Sequence, residues 1–307
     1  DMSEIIIAIH GMGNKPPPRT LSRWLRASIR EGLKRIEKSK LAFNFELVYW
    51  AHYLNPAPLK PRIKDKENPL YIEDPYFRAP QNAVEEKPGA LRQKLADYVS
   101  EQLDNILLNE DLTINYEYIV DFIIHHFFRD LEIYYNNYCV IPYETNCHAK
   151  ALICSELTNV LKKHRKKKIM LIAHSMGSII AYDVLTQEAS NVPIDTFVTI
   201  GAPLGLPIVK SRIVADRKKD CSQNGILKTP ENISSHWYNL ADLRDKIAIN
   251  YTLRDDFIEN ARHIGPVDKI VTNDYEYEGP KHPHKSYGYL RTPEMAEIIS
   301  GFLNDNR

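Results

Sequence analysis

The stretch IMLIAHSMG at residues 169–177 is the part of the sequence that decides the expected fold. Its first five residues are apolar, as in a buried strand, and the residues that follow Ser175 have the apolar spacing of a helix. Small residues at Ala173 and Gly177, two positions before and two after the serine, allow a strand and a helix to approach closely. The pattern therefore predicts a strained turn that projects the Ser175 hydroxyl from the edge of a sheet.

Strands and helices alternate on both sides of this turn. The expected strands are 4–9, 43–50, 169–174, 194–200, 236–240 and 268–272, and the expected helices are 19–38, 116–138, 143–164, 176–188 and 293–303. Residues 210–235 are polar and are expected to form a surface loop. Alternation of this kind predicts an α/β fold with a doubly wound, mostly parallel sheet and helices on both of its faces.

Residues 55–140 interrupt that alternation. Seven prolines between residues 56 and 88 exclude long regular elements there, whereas residues 116–138 have an amphipathic helical pattern. The sequence thus predicts a core of residues 1–54 and 141–307 and a largely helical cap, or lid, inserted at 55–140. Because the apolar face of an insertion must be buried, we expect the cap beside the Ser175 hydroxyl, with a remote face of the core or a dimer contact as alternatives.

The overall composition narrows the class of protein. The chain has 307 residues, of which 43% are hydrophobic, and its 40 basic and 40 acidic side chains cancel. This balance favours a small, near-neutral substrate and argues against nucleic acid as a partner. No apolar run approaches the roughly 20 residues of a membrane span, and no signal-peptide pattern stands at the start, so we expect a cytoplasmic protein without stable membrane insertion. Four cysteines without Cys-x-x-Cys spacing indicate neither a zinc ribbon nor a disulfide framework.

A serine at such a turn needs a base to activate it and an acid to orient the base. Two aspartates, Asp242 and Asp245, follow the strand expected at 236–240, and two histidines, His282 and His284, precede the closing helix. The two histidines could instead hold a metal ion, but no Asp, Glu or Cys stands nearby at ligand spacing, so no metal site is expected.

Together these segments resemble the α/β-hydrolases of the esterase and lipase type. The matching segments, in order along the chain, are 10–13, 173–177, 201–203, 237–247 and 284–287. Ala173 departs from the glycine usual at its position, and residues 55–140 take no part in the resemblance. The resemblance implies a doubly wound sheet of roughly eight strands, larger than the usual four to six, together with catalysis without a cofactor and a cap over the pocket.

The resemblance also implies a role for each candidate residue, because the order in this family is Ser, then Asp or Glu, then His. Ser175 is the expected nucleophile. His284 is the expected base, since the Ser and Tyr that follow it resemble the family's histidine loop. Asp245 is preferred to Asp242 as the orienting acid because an apolar residue, Ile247, follows it two positions on, as in the family's acid loop.

Two backbone N–H groups, those of Met12 and Met176, form the expected oxyanion hole. The expected reaction is cleavage of a carboxylic ester through an acyl-enzyme, with a small-molecule ester or a lipid-like molecule as substrate. A thioesterase, a peptidase or an acyltransferase would use the same residues, and a non-catalytic binding protein of the same fold is the alternative outside the enzymes. The sequence does not specify an oligomeric state.

Overall fold

A parallel sheet of six strands lies at the centre of the structure, a computed structural model that describes residues 3–79, 118–136, 148–216, 227–248, 250–279 and 281–304. Its strands are β1 (Glu4–Ile9), β2 (Phe45–Val48), β3 (Lys168–His174), β4 (Ile194–Ile200), β6 (Ile233–Ala241) and β8 (Pro266–Ile270). Two short strands, β5 (Leu227–Lys228) and β7 (Phe257–Ile258), pair separately. The order across the large sheet is β2-β1-β3-β4-β6-β8, and every neighbouring pair is parallel.

Helices cover both faces of this sheet. They are α1 (Pro18–Arg35), α2 (Tyr118–Asn136), α3 (Ala149–Lys163), α4 (Met176–Thr186), α5 (Pro207–Asp216), α6 (Ser286–Leu290) and α7 (Pro293–Asn304). On β1, Ile6 and Ala8 point into the layer formed with α1, α6 and α7, whereas Ile5, Ile7 and Ile9 point into the layer that contains α3 and α4. Side chains of a strand alternate between faces, so a strand with apolar residues at every position is one buried on both sides.

The predicted fold class is confirmed: the chain has an α/β fold with a doubly wound parallel sheet. The six predicted strands are the six strands of the large sheet, with ends that agree within three residues. Among the described residues the large sheet has six strands rather than the roughly eight that the resemblance implies.

The prediction of a surface loop over residues 210–235 was wrong at both ends. Helix α5 occupies its beginning, where Val209 and Ile213, four residues apart, are both buried. Strand β6 already begins at Ile233, and the hydroxyl groups of Ser234 and Ser235 donate to Ile194 O and the Asp195 carboxylate. Polar residues fit this strand because the neighbouring strand accepts their hydrogen bonds. Residues 217–226 lie outside the described part of the chain.

Two described parts of the segment predicted as a cap contact the rest of the molecule. Residues 71–79 lie against the C-terminal part of the chain, where Tyr275 Oη donates to Pro75 O at 2.6 Å. Helix α2 buries Phe127, Leu131 and Tyr134 in the layer of α3 and α4. Residues 80–117 and 137–147 lie outside the described residues, and the division into a core of 1–54 and 141–307 and a cap of 55–140 stays a prediction. No helix among the described residues has the length and apolar character needed to span a membrane.

The order of the strands places a crevice at the carboxyl ends of β1 and β3. From β1 the chain crosses to β2 on one side, whereas β3 lies on the other side of β1. Ligands of open α/β sheets bind at such a reversal of strand order. Ile9 pairs with Ala173, so the segments that follow β1 and β3 leave the sheet side by side and bring Gly11 next to Ser175.

Candidate active site

Ser175 occupies a strained turn between β3 and α4. Its backbone dihedrals are φ 53° and ψ −127°, a conformation that costs a residue other than glycine on the order of 1–3 kcal/mol. The turn is held by Ser175 N, which donates to Ile200 O at 3.0 Å. A Cβ at Gly177 would lie 2.7 Å from His10 O, so only glycine lets α4 approach the end of β1 this closely. The predicted strand, turn and helix around the serine are confirmed.

The structure brings Ser175, His284 and Asp245 into one hydrogen-bonded series. Nε2 of His284 lies 2.9 Å from the Ser175 hydroxyl oxygen, and Nδ1 lies 2.9 Å from each carboxylate oxygen of Asp245. The Asp245 side chain is fully buried, whereas that of His284 is 14% exposed. A carboxylate accepts, so Nδ1 carries the ring hydrogen and Nε2 is free to accept the serine proton. This is the geometry that a serine nucleophile and its base require.

Several groups fix the orientation of the Asp245 carboxylate. Tyr289 Oη donates to Oδ2 at 2.7 Å, and Ile247 N donates to Oδ1 at 3.0 Å. Burial, and then the charge of Asp245, raises the pKa of Tyr289 well above its usual value, so the phenol stays a donor. Gly201 has φ 54°, and a Cβ there would lie 2.8 Å from Asp245 Oδ2. The missing side chain at this glycine therefore leaves room for the carboxylate.

Asp242, the alternative acid, supports the histidine loop and does not contact the imidazole. Its carboxylate accepts from the Arg244 guanidinium at 2.6 and 2.9 Å and from Asn273 N at 2.7 Å. The side-chain amide of Asn273 in turn donates to Pro283 O and Lys285 O at 2.7 and 2.8 Å. These two carbonyl groups flank His284, so the Asp242 carboxylate supports the histidine loop through Asn273.

His282, the alternative histidine, faces away from the serine. Its Nε2 lies 3.5 Å from Asp74 Oδ1, and its ring contacts Tyr275. His282 and His284 therefore have different partners. Within the described ranges, no group of three or more His, Cys, Asp or Glu side chains could hold a metal ion.

The turn after β1 passes directly beside the serine. A Cβ at Gly11 would lie 2.7 Å from the Ser175 Cβ. Nε2 of His10 accepts hydrogen bonds from Trp50 N and Ala51 N, so Nδ1 carries the ring hydrogen and donates to Gly11 O at 2.7 Å. Burial, and secondarily the charge of Lys15, lowers the pKa of His10 well below its usual value, which keeps the ring neutral.

The peptide that joins Gly11 to Met12 is oriented by this histidine. The C=O and N–H of a trans peptide point in opposite directions, so the bond to Gly11 O directs the Met12 N–H away from His10. No acceptor for the Met12 amide lies within hydrogen-bond distance among the residues that the structure describes. Met176 is the first residue of α4, and the first amides of a helix have no partner within the helix. Met12 follows Gly11, which contacts Ser175, and Met176 follows the serine directly. That their amides form an oxyanion hole stays a prediction.

Two further titratable groups surround this turn. Burial lowers the pKa of His174 well below its usual value, and the neighbouring His284 acts in the same direction. Nε2 of His174 donates to His284 O at 2.8 Å, so the neutral ring supports the histidine loop. Burial and then the charge of Lys285 lower the pKa of Lys15 to about 7, while Asp130 and Asp74 oppose this change.

Sequence reasoning missed several residues that build the site. Tyr289 and Asn273 had no signal of their own, since neither belongs to a motif. Gly201 was recognised as the end of a strand without a role in the site. Asp130 lies 117 positions from Gly13, to whose amide it binds, and nothing in the sequence relates two residues so far apart.

Comparison with known families gives a match to lecithin:cholesterol acyltransferase over residues 153–245. The matched segment contains Ser175 and ends at Asp245, whereas His284 and the turn at 10–13 lie outside it. A comparison with curated proteins gave no match. The match indicates acyl-transferring or hydrolytic chemistry of the α/β-hydrolase type. Together with the parallel sheet and its flanking helices, the match fits an α/β-hydrolase.

Proposed function

We propose that this protein is a serine hydrolase that cleaves carboxylic esters through an acyl-enzyme, with Ser175 as nucleophile, His284 as base and Asp245 as the orienting acid. The observation that carries the proposal is the pair of contacts made by His284: Nε2 to the serine hydroxyl at 2.9 Å and Nδ1 to the buried carboxylate at 2.9 Å. Only this arrangement lets the imidazole take a proton from the serine while its positive charge is stabilised on the opposite side.

The reaction would proceed in two stages, acylation and deacylation of Ser175. In the first, Ser175 Oγ attacks the ester carbon and its proton moves to His284 Nε2, which then passes the proton to the leaving alcohol. In the second, water attacks the acyl-enzyme, gives its proton to the same nitrogen and releases the acid, after which the proton returns to the serine. Asp245 stays ionised throughout and stabilises the imidazolium.

The negative oxygen of each tetrahedral intermediate would be held by the amides of Met12 and Met176. The contact between Gly11 and Ser175 supports this role for the turn after β1. The amino terminus of α4 adds the positive end of a helix dipole at the same place.

A lipid-like ester is the substrate class that the family match favours, because lecithin:cholesterol acyltransferases carry a lipid in their name. The same match favours a second candidate, transfer of the acyl group to an alcohol instead of water. The two activities share Ser175 and the acyl-enzyme, and they differ in which acceptor attacks it. A cytoplasmic location and a cap at 55–140 that selects the acyl group remain part of the proposal.

Labelling with a fluorophosphonate, followed by peptide mapping, tests the nucleophile. We expect modification at Ser175 in the wild-type protein and none in Ser175→Ala, which should also lose about 10³-fold or more of the kcat for p-nitrophenyl butyrate. Ser155→Ala is the matched control, since Ser155 is exposed and its hydroxyl binds only Leu152 O among the described residues. Labelling at another residue, or a Ser175→Ala variant that keeps a tenth of the activity, would contradict the proposal.

Acyl transfer is tested by adding a long-chain alcohol to the same assay. If an acceptor alcohol competes with water, the alkyl ester appears as a product and free acid decreases, while p-nitrophenol release continues. Release of acid alone at every alcohol concentration would leave hydrolysis as the function.

A further inference from the structure

The peptide that joins Met12 to Gly13 is held from two sides by charged side chains. The Lys15 ammonium donates to Met12 O and, at 3.4 Å, to Gly13 O. Gly13 N donates to Asp130 Oδ2 at 2.7 Å. Because the C=O and N–H of a trans peptide point in opposite directions, Lys15 and Asp130 bind opposite edges of the same peptide.

Asp130 belongs to α2, inside the segment predicted as a cap, and is 4% exposed. The same helix buries Leu131 and Tyr134 against α3 and α4, so the carboxylate approaches the turn from a packed element. A hydrogen bond to an ionised acceptor is about twice as strong as one between neutral groups. The bond from Gly13 N is therefore well suited to fix the turn.

The two side chains also depend on each other electrostatically. Lys15 is half-buried, and the charge of Asp130 raises a pKa that burial and Lys285 lower. Asp74, which pairs with Lys285 at 2.6 Å, acts in the same direction as Asp130. Removal of the Asp130 charge would weaken the ammonium's hold on Met12 O as well as the bond to Gly13 N.

We propose that Asp130 and Lys15 are positioning residues that orient the Met12 amide as an oxyanion donor. The inference rests on the proposed function. His10 binds Gly11 O of the peptide that contains this amide, and the Asp130 and Lys15 pair fixes the next peptide. With both peptides held, the Met12 N–H keeps one orientation. Through Asp130, helix α2 thereby affects the rate of the chemical step, and not only the access of substrate to the site.

The expected changes in kcat and KM follow from the step at which the oxyanion forms. The negative oxygen forms only after attack by the serine, so a misplaced donor lowers kcat and leaves KM nearly unchanged. Loss of a complete oxyanion donor costs about 10²–10³-fold. We expect Asp130→Ala, which frees the peptide without removing the donor, to lower kcat by about 10–100-fold with KM within about twofold.

The experiment compares Asp130→Ala and Asp130→Asn with Glu132→Ala, a change at an exposed position of the same helix. Kinetics with p-nitrophenyl butyrate are combined with inhibition by a trifluoromethyl ketone. Its carbonyl carbon bonds to Ser175 Oγ, the proton moves to His284 and a stable oxyanion results. In Asp130→Ala the inhibition constant should rise by about the factor that kcat falls. Asp130→Asn should lie between wild type and Asp130→Ala, since its carbonyl oxygen can accept from Gly13 N but the charge that supports the Lys15 ammonium is lost. Glu132→Ala should behave as wild type.

A second variant keeps the test decisive if Asp130→Ala does not fold. Lys15→Met should lower kcat by about tenfold with little change in KM, and in the double variant the two effects should combine to less than their product, because both act on one peptide. The inference is wrong if Lys15→Met or folded Asp130→Ala has a normal kcat, if only KM changes, or if the inhibition constant stays the same. In each of these cases labelling at Ser175 would still support the hydrolase proposal. A wild-type protein without labelling at Ser175 would overturn both.

Discussion

Asp245→Asn is the substitution that most directly tests how the site holds its imidazole. The carboxylate accepts from His284 Nδ1 with both oxygens and also from Tyr289 Oη and Ile247 N. An asparagine keeps the shape but turns one oxygen into an NH₂ group. If that group faces Nδ1, the imidazole shifts its hydrogen to Nε2, and the nitrogen beside Ser175 can no longer accept a proton.

The size of the effect follows from the contact that changes. A hydrogen bond to a charged group contributes about 1.5–3 kcal/mol, and the single Nδ1 hydrogen is shared between the two oxygens of a carboxylate that is fully buried. Loss of this bond alone corresponds to about 10–10²-fold in rate, and an imidazole tautomer that cannot accept the serine proton raises the loss to as much as about 10⁴-fold. The fold should survive, because the amide still offers one acceptor and one donor to its neighbours.

The assay is the kcat of p-nitrophenyl butyrate hydrolysis, with thermal unfolding as a check on the fold. Asp242→Asn is the matched control, since that carboxylate contacts Arg244 and Asn273 N and not the imidazole. We expect it to lower kcat by at most about tenfold. Equal and small losses in both variants would refute the assignment of the acid, and the reverse ranking would move it to Asp242.

Two further substitutions test the surroundings of the site. Gly201→Ala should lower kcat at least tenfold, because its Cβ would lie 2.8 Å from the Asp245 carboxylate, whereas Gly301→Ala, with nothing within 4 Å of its Cβ, should be neutral; equal activity of the two would contradict the reasoning. The pKa of Lys15 is lowered from 10.5 to about 7 in the folded protein. Between these two pH values the unfolded chain binds more protons than the folded protein, so the stability of the wild type should rise with pH, by at most about 1.4 kcal/mol per pH unit. The free energy of urea unfolding, measured at pH 6, 8 and 10, should not rise in Lys15→Met. The control Lys64→Met, at an exposed lysine, should keep the rise. If the rise persists in Lys15→Met, Lys15 is not its cause.

The sheet could be predicted from the sequence because its strands carry a local signal. Continuous apolar runs such as 169–173 are read from neighbours in the chain, and all six strands of the large sheet were predicted. The start of β6 was missed because Ser234 and Ser235 are polar and gain their partners only when β4 lies beside them. Helix α5 was missed because only two of its residues are buried.

The candidate site could be predicted only where a motif or an order along the chain marks it. Ile247, which favoured Asp245 over Asp242, has a physical role in the structure, since its N–H donates to Oδ1 of the acid. Tyr289 and Asp130 act through contacts across the fold, 44 and 117 positions from their partners. Their importance depends on packing, which no local pattern records.

The connection between β2 and β3 is long, and its length affects the entropy cost of closing the fold. About 120 residues join the two strands, whereas a compact crossover needs about 30. Each doubling of a flexible connection costs only about 0.6 kcal/mol of closure entropy, so a fourfold increase in length costs about 1.2 kcal/mol by length alone. Natural selection can therefore lengthen this connection outside the packed helices α2 and α3 at little risk to the sheet.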